Sequence, residues 1–207
     1  YVAAVAAQAA KTKAANLDEF LAEPWALDTS LSVKEELSSM IAVIGENMNI
    51  RRFEKIQAEN GFVASYIHGG GRIGILVEVE TTVNNDITKE AAKNVAMQIA
   101  AMSPKYVSEA EVPADYLTHE REILLAQIKN DPSNSKKPEN ILEKMLEGRL
   151  KKELKEICLV DQVYVKDGDL SVGQYLANVS KEAGAPVSVK RFVRYETGEG
   201  LEKKSED

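Results

Sequence analysis

The chain has 207 residues, 44% hydrophobic and 29% charged, which is enough apolar content for one large or two small cores and too much for a disordered segment. Its 26 Lys and Arg stand against 33 Asp and Glu, a formal charge of −7 that argues against a general nucleic-acid binder, since grip on a phosphate backbone rests on cations. The single cysteine excludes an intrachain disulfide framework, and no apolar run approaches the ~18–20 residues that span a bilayer.

Residues 1–12 are rich in Ala, Val and Gln and free of Gly and Pro, which predicts a helix. No basic region precedes an apolar block there, so the segment is not a signal peptide, and a cytoplasmic location is expected. A short helix over 17–21 runs out before Pro24. Ser30 or Ser32 can cap the next helix, Glu35 and Glu36 favour its first turn, and Leu37, Met40, Ile41 and Ile44 share one face until Gly45 stops it.

From Ile50 the period changes. Residues 50–56 predict a strand, Gly61 a turn, 62–68 a second strand broken by Gly69, Gly70 and Gly71, and 73–79 a third. Asn84, Asn85 and Asp86 introduce a helix over 87–102, with Ala91, Val95, Ile99 and Met102 on one side and Pro104 beyond its end. Pro113 opens a helix carrying Leu117, Leu124 and Ile128. The polar loop DPSNSKKP leads to another, beginning near Glu139, with Ile141, Met145, Leu146, Leu150, Leu154 and Ile157 inward. Two amphipathic helices on one short loop predict an antiparallel hairpin over 113–157. A short strand over 163–165, a turn at Lys166, Asp167 and Gly168, a helix over 172–183 stopped by Gly184 and a strand over 187–195 follow. The charged tail EKKSED is expected to fray.

The motif IRRF at 50–53 repeats as VKRF at 189–192, and each copy closes a segment that starts with an Ala-rich helix. The second copy has a glycine turn and strand ahead of its helix; the first starts at Tyr1 with nothing ahead of it, so the chain is expected to begin inside its first repeat. The predicted class is α+β: two related subdomains, each a small antiparallel sheet packed with helices, plus the inserted hairpin and a C-terminal module. The layout is 1–60 for the first subdomain, 61–112 with 158–195 for the second, 113–157 for the hairpin and 196–207 for the tail.

Little here carries catalytic chemistry. The run YIHGGGRIG has no GK[ST] and enters a strand, whereas a phosphate loop opens a helix, so a tight turn is expected. His68 and His119 lie far apart without a partner at ligand spacing, and no metal or cofactor is expected. His119 sits among charged residues and is expected to be solvated. His68 ends a strand beside flexible glycines, a position suited to touching a partner. Cys158, in EICLV, is expected to be a buried small hydrophobe. Three function classes stay open on residues alone: a protein-contact factor, a small-molecule enzyme using His68 and the glycine loop, and a self-associating structural domain.

Several stretches resemble the bacterial elongation factor Ts family: IGENMNIRRFEKI at 44–56, YIHGGGRIGILVEV at 66–79, VAMQIAAMSPKYV at 95–107, KPENILEKMLEGRLKKELKEICLVDQVYVKD at 137–167 and RFVRYETGEGLEK at 191–203. They keep the family's order across nearly the whole chain. The resemblance implies a non-enzymatic protein that binds elongation factor Tu and promotes release of GDP during translation elongation, without direct nucleic-acid or membrane contact. It implies that Ile44 and Gly45 touch the nucleotide-binding domain of Tu, that His68 faces its third domain, and that Val165 opens a C-terminal module. Gly45 as a plain helix stop and Val165 as strand core stay open beside those roles. The family's N-terminal helical domain and its Thr-Asp-Phe-Val element are not found in these residues; VETTV at 79–83 lacks the Asp-Phe pair. This stretch is therefore expected to dock on Tu better than it drives exchange. Homodimerisation through the hairpin is left open.

Overall fold

The structure, a computed structural model, describes residues 1–202; the tail expected to fray lies, from residue 203 on, outside them. The chain divides into two compact units, Tyr1–Lys55 and Ile56–Asp207.

The first unit opens with α1 (Val2–Lys11) and α2 (Leu17–Ala22), the latter capped by Asn16, whose side chain accepts from Glu19 N at 2.9 Å. A two-stranded antiparallel sheet follows, β1 (Pro24–Trp25) and β2 (Asp28–Ser32), which leads straight into α3 (Val33–Ile44). Of the two candidate caps, Ser32 is used. Its hydroxyl accepts from Glu35 N at 3.1 Å, and Glu35 returns an acceptor to Ser32 N at 3.1 Å. Ala9, Phe20, Trp25 and Val33 make a small core on which Tyr1, Ile50 and Phe53 pack, with Phe20 and Phe53 centroids 4.9 Å apart.

The strand expected over 50–56 does not form; these residues belong to no helix or strand. β-propensity describes a side chain suited to a pleated, half-buried surface, and it becomes a strand only beside a partner. Ile50 and Phe53 use their apolar side chains to pack on the small core, while the sheet of this unit is built from β1 and β2. Pro24 and the polar stretch at Asp28 and Thr29 hide that hairpin from a search for alternating apolar residues.

The second unit is centred on a three-stranded antiparallel sheet in the order β3 (Gly61–His68), β4 (Ile73–Glu80), β5 (Ser188–Glu196). Tyr66 pairs with Ile75 and Ala64 with Val77, while Phe192 faces Val77 from the other side. The period of two puts Ile75, Val77 and Val79 on one face, and all three are buried. Against them lie α4 (Asp86–Met102) and α7 (Val172–Ala183), capped by Asn85 and Ser171. Ala91, Val95 and Ile99 are buried as the helical period predicts, but Met102, at the last turn, is 48% exposed.

Between α4 and α7 the chain leaves as α5 (Ala114–Asn130) and returns as α6 (Glu139–Ile157). Arg121 pairs with Glu147, and Glu120 meets Glu153 further down, so one helix descends as the other rises and the hairpin is antiparallel. Ile128, Leu146 and Leu150 are buried, whereas Ile141, expected inward, is 37% exposed near the loop end. The expected strand over 163–165 reduces to one isolated bridge, Val163 to Ser171, because the chain turns at Val165 and Lys166, where Asp167 N donates to Tyr164 O at 3.2 Å, and the side chain of Gln98 takes Val163 O and Val165 N.

Candidate partner-binding surfaces

Ile44 is the last residue of α3, and Gly45 ends the helix at φ 79°, its N–H donating to Ile41 O at 2.9 Å. A left-handed residue here closes the helix with little strain only if it has no Cβ. The chain then turns away and leaves Ile44 49% and Val43 79% exposed, two apolar side chains on the last turn of a capped helix.

His68 closes β3. The next three residues, Gly69, Gly70 and Gly71, have φ of 61°, 68° and 99°, a run closed to side chains that carry a Cβ. The N–H groups of Gly71 and Arg72 both donate to His68 O, at 3.3 and 3.1 Å, and Tyr66 Oη shares a 2.9 Å hydrogen bond with His68 Nδ1. Which of the two donates is set by the tautomer of the ring, which is exposed. The exposed ring is thus hydrogen-bonded to Tyr66 beside a tight glycine turn.

Val165 is 47% exposed and its neighbour Val163 is 60% exposed, while Gln162 and Tyr164 between and before them are buried. Val163 makes a single bridge and Val165 begins a turn in which Asp167 N donates to Tyr164 O at 3.2 Å, and both valines are left outward. Burial, then the stacked Tyr175 ring 4.3 Å away, raises the Tyr164 phenol well above its usual range, so it remains neutral beneath the segment. Lys166 reaches back to Asn94 Oδ1 at 2.7 Å. The residues that hold this segment, Asn94, Gln98 and Gln162, escape a search for motifs. The available signal is polar side chains four apart inside the apolar face of NVAMQIAAM.

The remaining reactive groups are quiet. Cys158 is buried, and burial, with Asp161, Glu109 and Glu111 nearby, pushes its thiol up to about 11, the reverse of what a nucleophile needs. His119 is exposed on α5. Among the described residues no group of His, Cys, Asp or Glu is placed to hold a metal ion, and no helix is long and apolar enough to cross a membrane. A cleft of about 510 Å³ in the first unit is lined by Ala4, Ala7, Gln8, Thr12, Glu23 and Leu27. Within it Gln8 donates to Pro24 O at 3.0 Å and accepts from Ala26 N at 2.9 Å, and Thr12 donates to Glu23, while Lys11 and Lys13 also line it.

The three expected sites carry exposed side chains on a capped helix end, a strand end and a segment held by Gln98. The fold around them is that of a known family. Residues 1–199 match the family model described as Elongation factor TS, and the chain belongs to the elongation factor Ts family. It is 48% identical over 203 residues to the elongation factor Ts of Clostridium novyi, covering 98% of this chain and 65% of that protein. The Clostridium kluyveri protein of the same name is 44% identical over 207 residues, all of this chain and 66% of the relative, and the Clostridioides difficile protein is 49% identical over 177 residues, 86% and 57%. The chain thus spans about 65% of the length of such relatives.

Proposed function

We propose that this chain binds elongation factor Tu and promotes GDP release from it, with Ile44, Gly45, His68 and Val165 among the contact residues. The observation that carries the reading is that Ile44, His68 and Val165, which match the family's contact motifs, are exposed, and each stands on backbone fixed by its own hydrogen bonds. Covering a half-exposed Ile or Val on a partner is worth about 1 kcal/mol, so a few such anchors supply useful affinity when the backbone beneath them is already ordered. No chemistry on the nucleotide is required. A protein that binds nucleotide-free Tu more tightly than Tu·GDP weakens GDP binding by the same factor. His68 suits contact, since its exposed ring is held by the Tyr66 phenol beside the glycine turn.

The test is a titration of the chain against nucleotide-free Tu and Tu·GDP, with release of labelled GDP followed by stopped flow. Tighter binding to the nucleotide-free form together with faster release is the expected result. Equal affinity for both forms would defeat the exchange reading, and no binding to either would defeat the partner.

A further inference from the structure

Gln98 lies in the middle of α4 and is completely buried, and Gln162 is 2% exposed. An uncharged amide buried this deeply is costly unless every polar atom is matched. Gln98 matches its atoms on one segment. Its Nε2 donates to Val163 O at 3.0 Å and to Gln162 Oε1 at 3.2 Å, and its Oε1 accepts from Val165 N at 2.9 Å. Gln162 in turn donates to Glu156 O at 2.7 Å and Met102 O at 3.4 Å, tying the segment to the ends of α6 and α4. One turn before Gln98, Asn94 donates to Tyr175 Oη at 2.9 Å and accepts from Lys166 Nζ. Positions 94 and 98 share one face of the helix, so together they form a polar rail against which residues 162–166 lie.

The rail does what a neighbouring strand would otherwise do. By bonding the carbonyl of Val163 and the amide of Val165, Gln98 fixes the backbone on either side of Tyr164, where the chain enters the turn closed by Asp167 N on Tyr164 O at 3.2 Å. Two valines are thereby turned outward with little freedom left to lose on binding.

We propose that Gln98, with Gln162 behind it, is a positioning residue for partner contact: it holds Val163 and Val165 outward as one apolar pair, and Val163 belongs to the contact surface. This rests on the reading that Val165 touches elongation factor Tu.

The test is a double-mutant cycle on the 207-residue chain, reading affinity for nucleotide-free Tu together with amide hydrogen exchange. Val165→Ala and Val163→Ala are each expected to weaken binding by about fivefold, and Gln98→Leu by about tenfold. Gln98→Leu should also speed exchange at the Val165 amide while leaving mid-sheet amides such as Val77 protected. The double variant Gln98→Leu/Val165→Ala should bind no worse than twofold below Gln98→Leu alone, since both act through one contact. If Gln98→Leu does not fold, Gln98→Asn, too short to reach both backbone groups, takes its place with the same expectations. Ile75→Val, a core change on the sheet, serves as the control for general destabilisation and should leave affinity within about twofold. Unchanged affinity in Val165→Ala would overturn the contact reading itself. Weakened binding in Val165→Ala combined with normal binding in the Gln98 variant, or with multiplying losses, would overturn the positioning role alone.

Discussion

Glu153 on α6 faces Glu120 on α5 inside the hairpin, and one of its carboxyl oxygens, Oε2, is buried with no hydrogen-bond partner. Burial is the main cause that raises its pKa, followed by the hydrogen bond and negative charge of Glu120 and by Glu156; Lys105 opposes them in part. The sign follows from linkage. An acid whose pKa is higher in the fold than in the unfolded chain favours folding while it is protonated. That contribution is full below the unfolded value of about 4.3 and is lost as the pH rises through the folded value. At neutral pH the pair therefore weakens the hairpin. Glu153→Gln removes the charge and provides an amide that can donate to Glu120. Relief of one partly buried, unpartnered carboxylate is worth about 1 kcal/mol, within the range for such groups and at its low end because the side chain is not fully enclosed. In a domain of this size that is a rise in Tm of about 2–4 °C. Thermal unfolding followed by circular dichroism from pH 4 to pH 8 should show the gain at pH 7 and its loss toward pH 4. A variant no more stable than the native chain at pH 7, or one whose advantage grows in acid, would refute the account.

His68→Ala should weaken Tu binding by about 1–2 kcal/mol, the scale of a moderate interface residue, and leave Tm nearly unchanged, as checked by calorimetry on both quantities. Cys158 should resist a thiol reagent at pH 8 in the folded chain and react at once in denaturant; rapid native labelling would contradict its burial and raised pKa. Cys158→Ser, which places a hydroxyl in that site, should cost about 1–2 kcal/mol in denaturant unfolding.

Where the pattern in the residues and the packing in the fold obey the same rule, the elements were legible in the sequence. The helix over 172–183 has a capping serine, an apolar face and a terminal glycine, and its observed bounds coincide with the expected ones. The strands on either side of the glycine run were legible for the same reason, since the hairpin needs left-handed residues and three glycines supply them. Residues 50–56 show the limit. Their composition suits a strand, but a strand is a property of two segments, and no neighbouring segment among the described residues pairs with this one. Val163 to Val165 fails differently, because the chain turns at Val165 and a helix side chain takes Val163 O and Val165 N. At the surfaces, exposure of His68 followed from its place beside the turn. The outward aim of Val165 depends on Gln98, 67 residues earlier in the chain. Local periodicity carries no information about such a contact.

The three proposed contact sites share one physical arrangement. Gly45 ends a helix in the single conformation that satisfies Ile41 O, the carbonyl of His68 accepts from two turn amides, and Val165 is bonded to an amide buried in α4. In each case the backbone is held by hydrogen bonds of its own, two of them within the main chain and one to a buried side chain, so the outward side chain has less left to order. Association charges for every rotamer and loop that must be immobilised, so anchors held in this way return more of their buried area as affinity. Exchange makes a further demand, because ordered anchors that fit both nucleotide states of a partner equally shift nothing. On the proposed reading, a contact surface held in this way would favour whichever state of Tu matches its geometry, and only that difference in affinity would shift the nucleotide equilibrium.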